Sequence, residues 1–151
     1  MRVEKGDLIA LALEGRFDVI IHGCNCFCTM GGGIARTIQK KFPEAYAADL
    51  ATQEGDRNKL GSYSFAKVKR RELEITIVNG YTQFHFYGAD VLVDYDAVRR
   101  LFAKIKSKFS GKRIGYPKLG AGLGGGDWQI IAAIIDEELK GEDHSVVLYT
   151  L

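Results

Sequence analysis

The sequence predicts an α/β domain in which a mostly parallel sheet lies between helices, and three observations carry that expectation. Short β-branched runs alternate with helical patterns along the chain. Two of those runs are each followed by a glycine-rich loop and then a helix: Phe17 to Ile21 leads into Gly31-Gly32-Gly33-Ile34, and Arg113 to Pro117 leads into Lys118 to Gly126. The 151 residues, 46% hydrophobic and 26% charged, suffice for one core and hence one domain spanning 1–151, with no linker, internal repeat or low-complexity segment.

Val3 opens a short strand that ends at Gly6-Asp7, and Leu8, Ile9, Leu11, Ala12 and Leu13 form a brief helix closed by Gly15. Phe17 to Ile21 has the length and composition of a buried strand, and His22 to Ala35 reads as a loop leaving it. Ile34, Thr37, Ile38 and Lys41 fit a helix, interrupted at Phe42-Pro43 because proline disfavours a helical conformation in the residue before it. Pro43 then occupies the first turn of a further helix through about Gln53. Gly55 to Gly61 is a polar loop. Ser62 to Val68 and Leu73 to Asn79 form a hairpin whose Lys67, Lys69, Arg70 and Arg71 are solvated.

Tyr81 to Gly88 is an irregular aromatic connection, a kind of segment that is often functional. From Asp94 onward Val98, Leu101, Phe102, Ile105 and Phe109 recur at helical spacing, with Arg99, Arg100, Lys104 and Lys108 between them. Arg113 to Pro117 is a strand, Asp127 caps a helix with Trp128, Ile131, Ala132, Ile135 and Leu139 along one face, and Ser145 to Leu151 is the last strand. Ligands of such sheets bind outside the carboxyl ends of the strands.

A net charge of +2 is no basic excess, so no nucleic-acid partner is expected. No apolar stretch approaches the roughly 20 residues needed to cross a membrane, and Met1-Arg2-Val3-Glu4-Lys5 is no signal-peptide core, so the expectation is a soluble, cytoplasmic monomer. Cys24, Cys26 and Cys28 lie too close together for a disulfide framework, which suits a reducing compartment. With His22 they would point one way along an extended segment. No second cysteine pair accompanies them, so they read as buried packing residues and no metal is expected. Cys28 at a helix start is a conceivable nucleophile, but no base is identifiable for it.

Gly120-Ala121-Gly122-Leu123-Gly124-Gly125 satisfies G-x-G-x-x-G, but no further strand ending in an acidic residue follows for a ribose, and neither glycine segment has the lysine and hydroxyl of a P-loop. The two loops read instead as a clasp on one diphosphate from two sides, through backbone amides.

Lys5-Gly6-Asp7-Leu8-Ile9, His22-Gly23-Cys24-Asn25, Gly31-Gly32-Gly33-Ile34-Ala35 and Tyr116-Pro117-Lys118-Leu119-Gly120-Ala121-Gly122-Leu123 together resemble the macro domain family, across nearly the whole chain. The resemblance implies a three-layer α/β/α fold with a mixed, mostly parallel central sheet, and a site for ADP-ribose. Asp7 would accept from the adenine amino group and Asn25 would hold the distal ribose. Gly31, Gly32, Gly33 and Ile34 would line that ribose and the diphosphate, opposite Gly120, Ala121, Gly122, Leu123 and Gly124, with Leu8, Ala35, Lys118 and Leu119 completing the contacts. Tyr149, Tyr81 and Phe84 are eligible to stack on adenine, and Tyr149 is counted with the ligand residues.

The chain is most similar to the stand-alone ADP-ribose 1''-phosphate phosphatase branch, in which a histidine stands where His22 does. The branch that removes ADP-ribose from glutamate relies on a lysine and an aspartate, whose best-matching positions here are Gly80 and Gly124. The expected function is binding of ADP-ribose and metal-independent, cofactor-free hydrolysis of ADP-ribose 1''-phosphate. The alternatives are a binding module without chemistry and a hydrolase acting on modified macromolecules. His22, with a free pKa near neutrality, is the candidate for proton transfer, ahead of His85 in the aromatic connection and His144 in a polar turn.

Overall fold

A computed structural model describes residues 1–88 and 90–150. Its elements are β1 (Arg2–Gly6), α1 (Leu8–Leu13), β2 (Val19–Cys24), α2 (Gly33–Lys41), α3 (Pro43–Leu50), a short 3-10 turn (Arg57–Lys59), β3 (Tyr63–Arg70), β4 (Leu73–Tyr81), α4 (Tyr95–Phe109), β5 (Arg113–Tyr116), α5 (Trp128–Glu138) and β6 (Asp143–Tyr149). The expected elements are all present. Leu151, assigned from the sequence to the last strand, lies outside the described residues.

The strands form one sheet in the order β1-β6-β5-β2-β4-β3, parallel throughout except for the β3–β4 hairpin. Short side chains on aspartates start three helices: Asp7 accepts from the Ala10 amide, Asp94 from Ala97 and Asp127 from Gln129. Pro43 occupies the first turn of α3, where its missing N–H costs nothing. The basic hairpin is solvent-facing at Lys67 and Lys69, and Arg70 pairs with Glu44.

Each face of the sheet carries a core. Val19 and Ile21 of β2 pack with α4 and α5, through Val98, Leu101, Phe102, Ile105, Ile131 and Ile135. Ile20 faces the other way, onto Leu8, Ile9, Ile38, Phe42 and Ala45 from α1 to α3. A strand buried on both sides is a continuous apolar run rather than an alternating one, which is why Val19-Ile20-Ile21 looks as it does.

One strand differs from expectation in a way that moves the site. β2 does not stop at Ile21: His22, Gly23 and Cys24 continue it, paired with Asn79, Gly80 and Tyr81 of β4. The residues expected to open a loop are strand residues with fixed facing. Similarly, His144 is a strand residue opposite Ile114, not part of a turn.

Candidate functional site

β2 and β5 are neighbours, yet the chain leaves β2 toward α2 on one face and leaves β5 toward α5 on the other. Connections that part in this way open a crevice at the carboxyl ends of the strands. A cavity of about 700 Å³ lies there, lined by Gly23, Gly32, Gly33, Ile34, Ala35, Gln83, Pro117, Lys118 to Gly124, and Val147 to Tyr149. A second recess of about 440 Å³ adjoins it and shares Gly23, Gly32, Ala35, Gln83 and Leu123, adding Cys24, Asn25, Thr29, Gly31, Phe86 and Leu92.

The two glycine loops meet over this cleft. Leu123, 75% exposed, lies so close to the first loop that a Cβ on Gly32 would stand 2.9 Å from its Cδ1. Gly122 faces open space, with nothing within 4 Å of where a Cβ would be. Gly120 has a different cause: its φ of +77° suits glycine, and a Cβ there would meet Val93 at 2.8 Å.

Of the residues singled out from the sequence, Asn25, Gly31, Gly32, Gly33, Ile34, Ala35, Lys118, Leu119, Gly120, Ala121, Gly122, Leu123, Gly124 and Tyr149 are brought together around the cleft and recess. Asp7 caps α1, beside the β6 end of the cleft, since Gly6 pairs with Tyr149. Leu8 is a core residue among α1 to α3. Tyr149 is 70% exposed, whereas Tyr81 is buried with its hydroxyl donating to Asp49 Oδ1 at 2.7 Å, and Phe84 lies under the Arg57 guanidinium at 3.8 Å. Of these three candidates, Tyr149 is the one that lines the cleft.

His22, the candidate for proton transfer, is placed behind the cleft. As a β2 residue it is fully buried and lines neither part of the cleft. Its Nε2 donates to Asn79 Oδ1 at 2.7 Å, because the Asn79 amide nitrogen already donates to the Ala45 carbonyl and Ser64 Oγ. Burial lowers its pKa from 6.5 to about 4, against the opposing pull of the Asn79 hydrogen bond, so at neutral pH the ring is uncharged. It approaches the recess only through the Cys24 thiol, 3.5 Å from Nε2.

Asn25 lines the recess but its side chain is largely engaged in its own loop: Nδ2 donates to Thr29 O and Oγ1, and Oδ1 accepts from the Phe27 amide. His85 stacks on Phe27 with centroids 4.3 Å apart, and His144 is bonded to the Tyr116 hydroxyl at 2.6 Å. Asp127 starts α5, away from the cleft lining. Cys24 and Cys26 are buried with Met30 and Tyr81, and among the described residues no group of three or more His, Cys, Asp or Glu side chains is placed to hold a metal ion.

Gln83 was not singled out from the sequence, although it lies in the aromatic connection read there as functional. It lines both parts of the cleft. No local motif announces it, because it reaches the site through the extension of β4 past β2. Among the described residues no helix is long and apolar enough to cross a membrane.

The family model of the Macro domain matches residues 21–135. A protein of Enterobacteria phage T4, named an uncharacterized 17.5 kDa protein in the tk-vs intergenic region, is 41% identical over 137 residues, covering 87% of this chain and 85% of its own. The ADP-ribose glycohydrolase OARD1 of Bos taurus is 28% identical over 97% of this chain and 89% of its own. A Candida albicans protein named ADP-ribose 1''-phosphate phosphatase is 28% identical over 88% and 90%. Among solved structures, the macrodomain of Mycobacterium tuberculosis DarG superposes with a TM-score of 0.73 at 20% identity, covering 99% of this chain and 97% of that one. The motifs, the sheet order and the matched residues agree: this chain belongs to the macro domain family.

Proposed function

We propose that this chain binds ADP-ribose in the cleft and hydrolyses ADP-ribose 1''-phosphate to ADP-ribose and phosphate. The observation that carries the binding reading is the meeting of two glycine loops, one from β2–α2 and one from β5–α5, over a single elongated cleft. Loops of this kind present backbone amides to an anion from two sides. Adenine then lies toward Asp7 and Tyr149, the diphosphate between Gly32-Gly33 and Gly120 to Gly124, and the distal ribose toward Asn25.

In the hydrolytic step water attacks phosphorus, the bond from phosphorus to the 1''-oxygen breaks, and that oxygen takes up the proton that the attacking water gives up. The amides neutralise charge on the phosphate oxygens as it shifts. This reading is supported by relatives at 28% and 27% identity that are named ADP-ribose 1''-phosphate phosphatase. A second reading, binding without turnover, is favoured by one specific observation: the lining contains no carboxylate or imidazole among the described residues. Removal of ADP-ribose from modified macromolecules by a lysine and an aspartate has less support in the residues, since the best-matching positions are Gly80 and Gly124, although a relative at 28% identity is named an ADP-ribose glycohydrolase.

Calorimetry with ADP-ribose, with ATP and NAD as comparators, tests the ligand, and phosphate release from ADP-ribose 1''-phosphate tests the reaction. Preferential binding of ADP-ribose with phosphate release is expected. Binding without release leaves the second reading, and equal or absent binding of all three ligands overturns both.

A further inference from the structure

We propose that Gln83 determines the specificity of the cleft by accepting, through Oε1, a hydrogen bond from a hydroxyl of the distal ribose. The inference rests on the ADP-ribose reading above and assigns a role to a residue outside the glycine loops.

Gln83 stands where the two recesses join and lines both. Its backbone is held on two sides: the Gln83 amide donates to the Cys24 carbonyl, and Gln83 forms a β-bridge with Val93. Its side-chain orientation follows from elementary chemistry. Nε2 lies 2.8 Å from the His85 carbonyl oxygen, which accepts only, so the nitrogen must be on that side and the oxygen on the other. Oε1 is directed to the second glycine loop, where a Cβ on Gly124 would stand 3.2 Å from it. Among the described residues nothing donates to Oε1.

Asn25 sharpens the contrast. Its Nδ2 donates to Thr29 and its Oδ1 already accepts from the Phe27 amide, so the side chain holds the loop and keeps only one acceptor lone pair free. The uncommitted amide oxygen at the junction belongs to Gln83. An acceptor oxygen repels phosphate oxygens and favours an O–H donor, so it separates the parts of the ligand: diphosphate stays with the amides, and a ribose hydroxyl lies over Gln83. A site built to bond a hydroxyl discriminates against ligands that lack it.

The test is calorimetry of wild type and Gln83→Met with ADP-ribose and with ADP, which has no distal ribose. Methionine keeps the length and removes the acceptor. The expected result is a loss of about tenfold in affinity for ADP-ribose, the effect of one hydrogen bond, with ADP affinity unchanged. Retained ADP binding also shows that the variant is folded. Equal weakening of both ligands, or unchanged ADP-ribose affinity, overturns the assignment.

Should the variant not fold, wild type decides with ADP-ribose analogues lacking the 2''- or the 3''-hydroxyl. Weaker binding of one of them by about tenfold supports the proposal, and unchanged binding of both overturns it. Wild type that binds no ADP-ribose overturns the functional reading itself. Wild type that binds it without discriminating the hydroxyls overturns only the role of Gln83.

Discussion

Behind the cleft, the His22 ring donates from Nε2 to the side-chain oxygen of Asn79 across 2.7 Å, joining neighbouring strands β2 and β4 in the interior. The ring is neutral, and burial lowers its pKa from 6.5 to about 4. A histidine with a depressed folded pKa takes up its proton more readily when the chain is unfolded. Its stabilising contribution is therefore complete above pH 6.5 and is lost as pH falls toward 4, a loss of about 3 kcal/mol. Denaturant unfolding across this range is expected to show that slope, and His22→Gln, which retains a donor for Asn79, to flatten it. Burial lowers the pKa of His144 too, so some slope persists in the variant. An unchanged slope in His22→Gln contradicts the assignment of the pH dependence to this ring.

The glycines of the second loop separate into two kinds. A side chain at Gly122 enters open space, so Gly122→Val should leave the thermal midpoint unchanged and weaken ADP-ribose binding by about tenfold or more by obstructing close approach to the amides. Gly124→Ala places a methyl 2.7 Å from the Gly120 carbonyl oxygen and should cost about 1–3 kcal/mol of stability. Thermal unfolding and calorimetry on the two variants check the pair. Unaltered binding in Gly122→Val would remove the loop from the ligand.

Tyr149 is exposed at the β6 end of the cleft, so truncating it has little effect on the core. Tyr149→Ala should weaken ADP-ribose and ADP by the same factor, about tenfold, because both carry the adenine that stacks there. This pattern is opposite to that expected of Gln83→Met. An effect on ADP-ribose alone would place Tyr149 at the wrong end of the ligand.

The thiols should differ in reactivity. Burial pushes the pKa of Cys24 well up, and raises that of Cys26 to about 11, whereas Cys28 is half-exposed beside Lys59. At about pH 8 a thiol reagent should label one cysteine quickly in the folded protein and all three only after unfolding. Peptide mapping should identify the fast site as Cys28, and loss of that rapid phase is expected in Cys28→Ser.

Much of this architecture is visible locally in the chain. The Val19-Ile20-Ile21 run, the helical spacing from Val98 to Phe109, the capping aspartates and the two glycine segments each report a short-range requirement: apolar burial, helix pitch, a satisfied amide or a tight approach. From these and the family motifs follow the α/β class, the mixed sheet and the position of the cleft-forming loops.

What only the tertiary structure decided is where individual side chains point within that site. β2 runs on through Cys24 because β4, more than fifty residues later, supplies the hydrogen-bonding partners; facing alternates along a strand, so this extension fixes His22 in the interior and leaves Gly23 at the cleft. The same pairing carries the chain to Gln83, while the turn around Asn25 engages an amide that the motif alone would assign to a ligand. Local sequence encodes propensity and burial, but register and the partners of polar groups are settled between segments remote in the chain, by the requirement that buried donors and acceptors be paired.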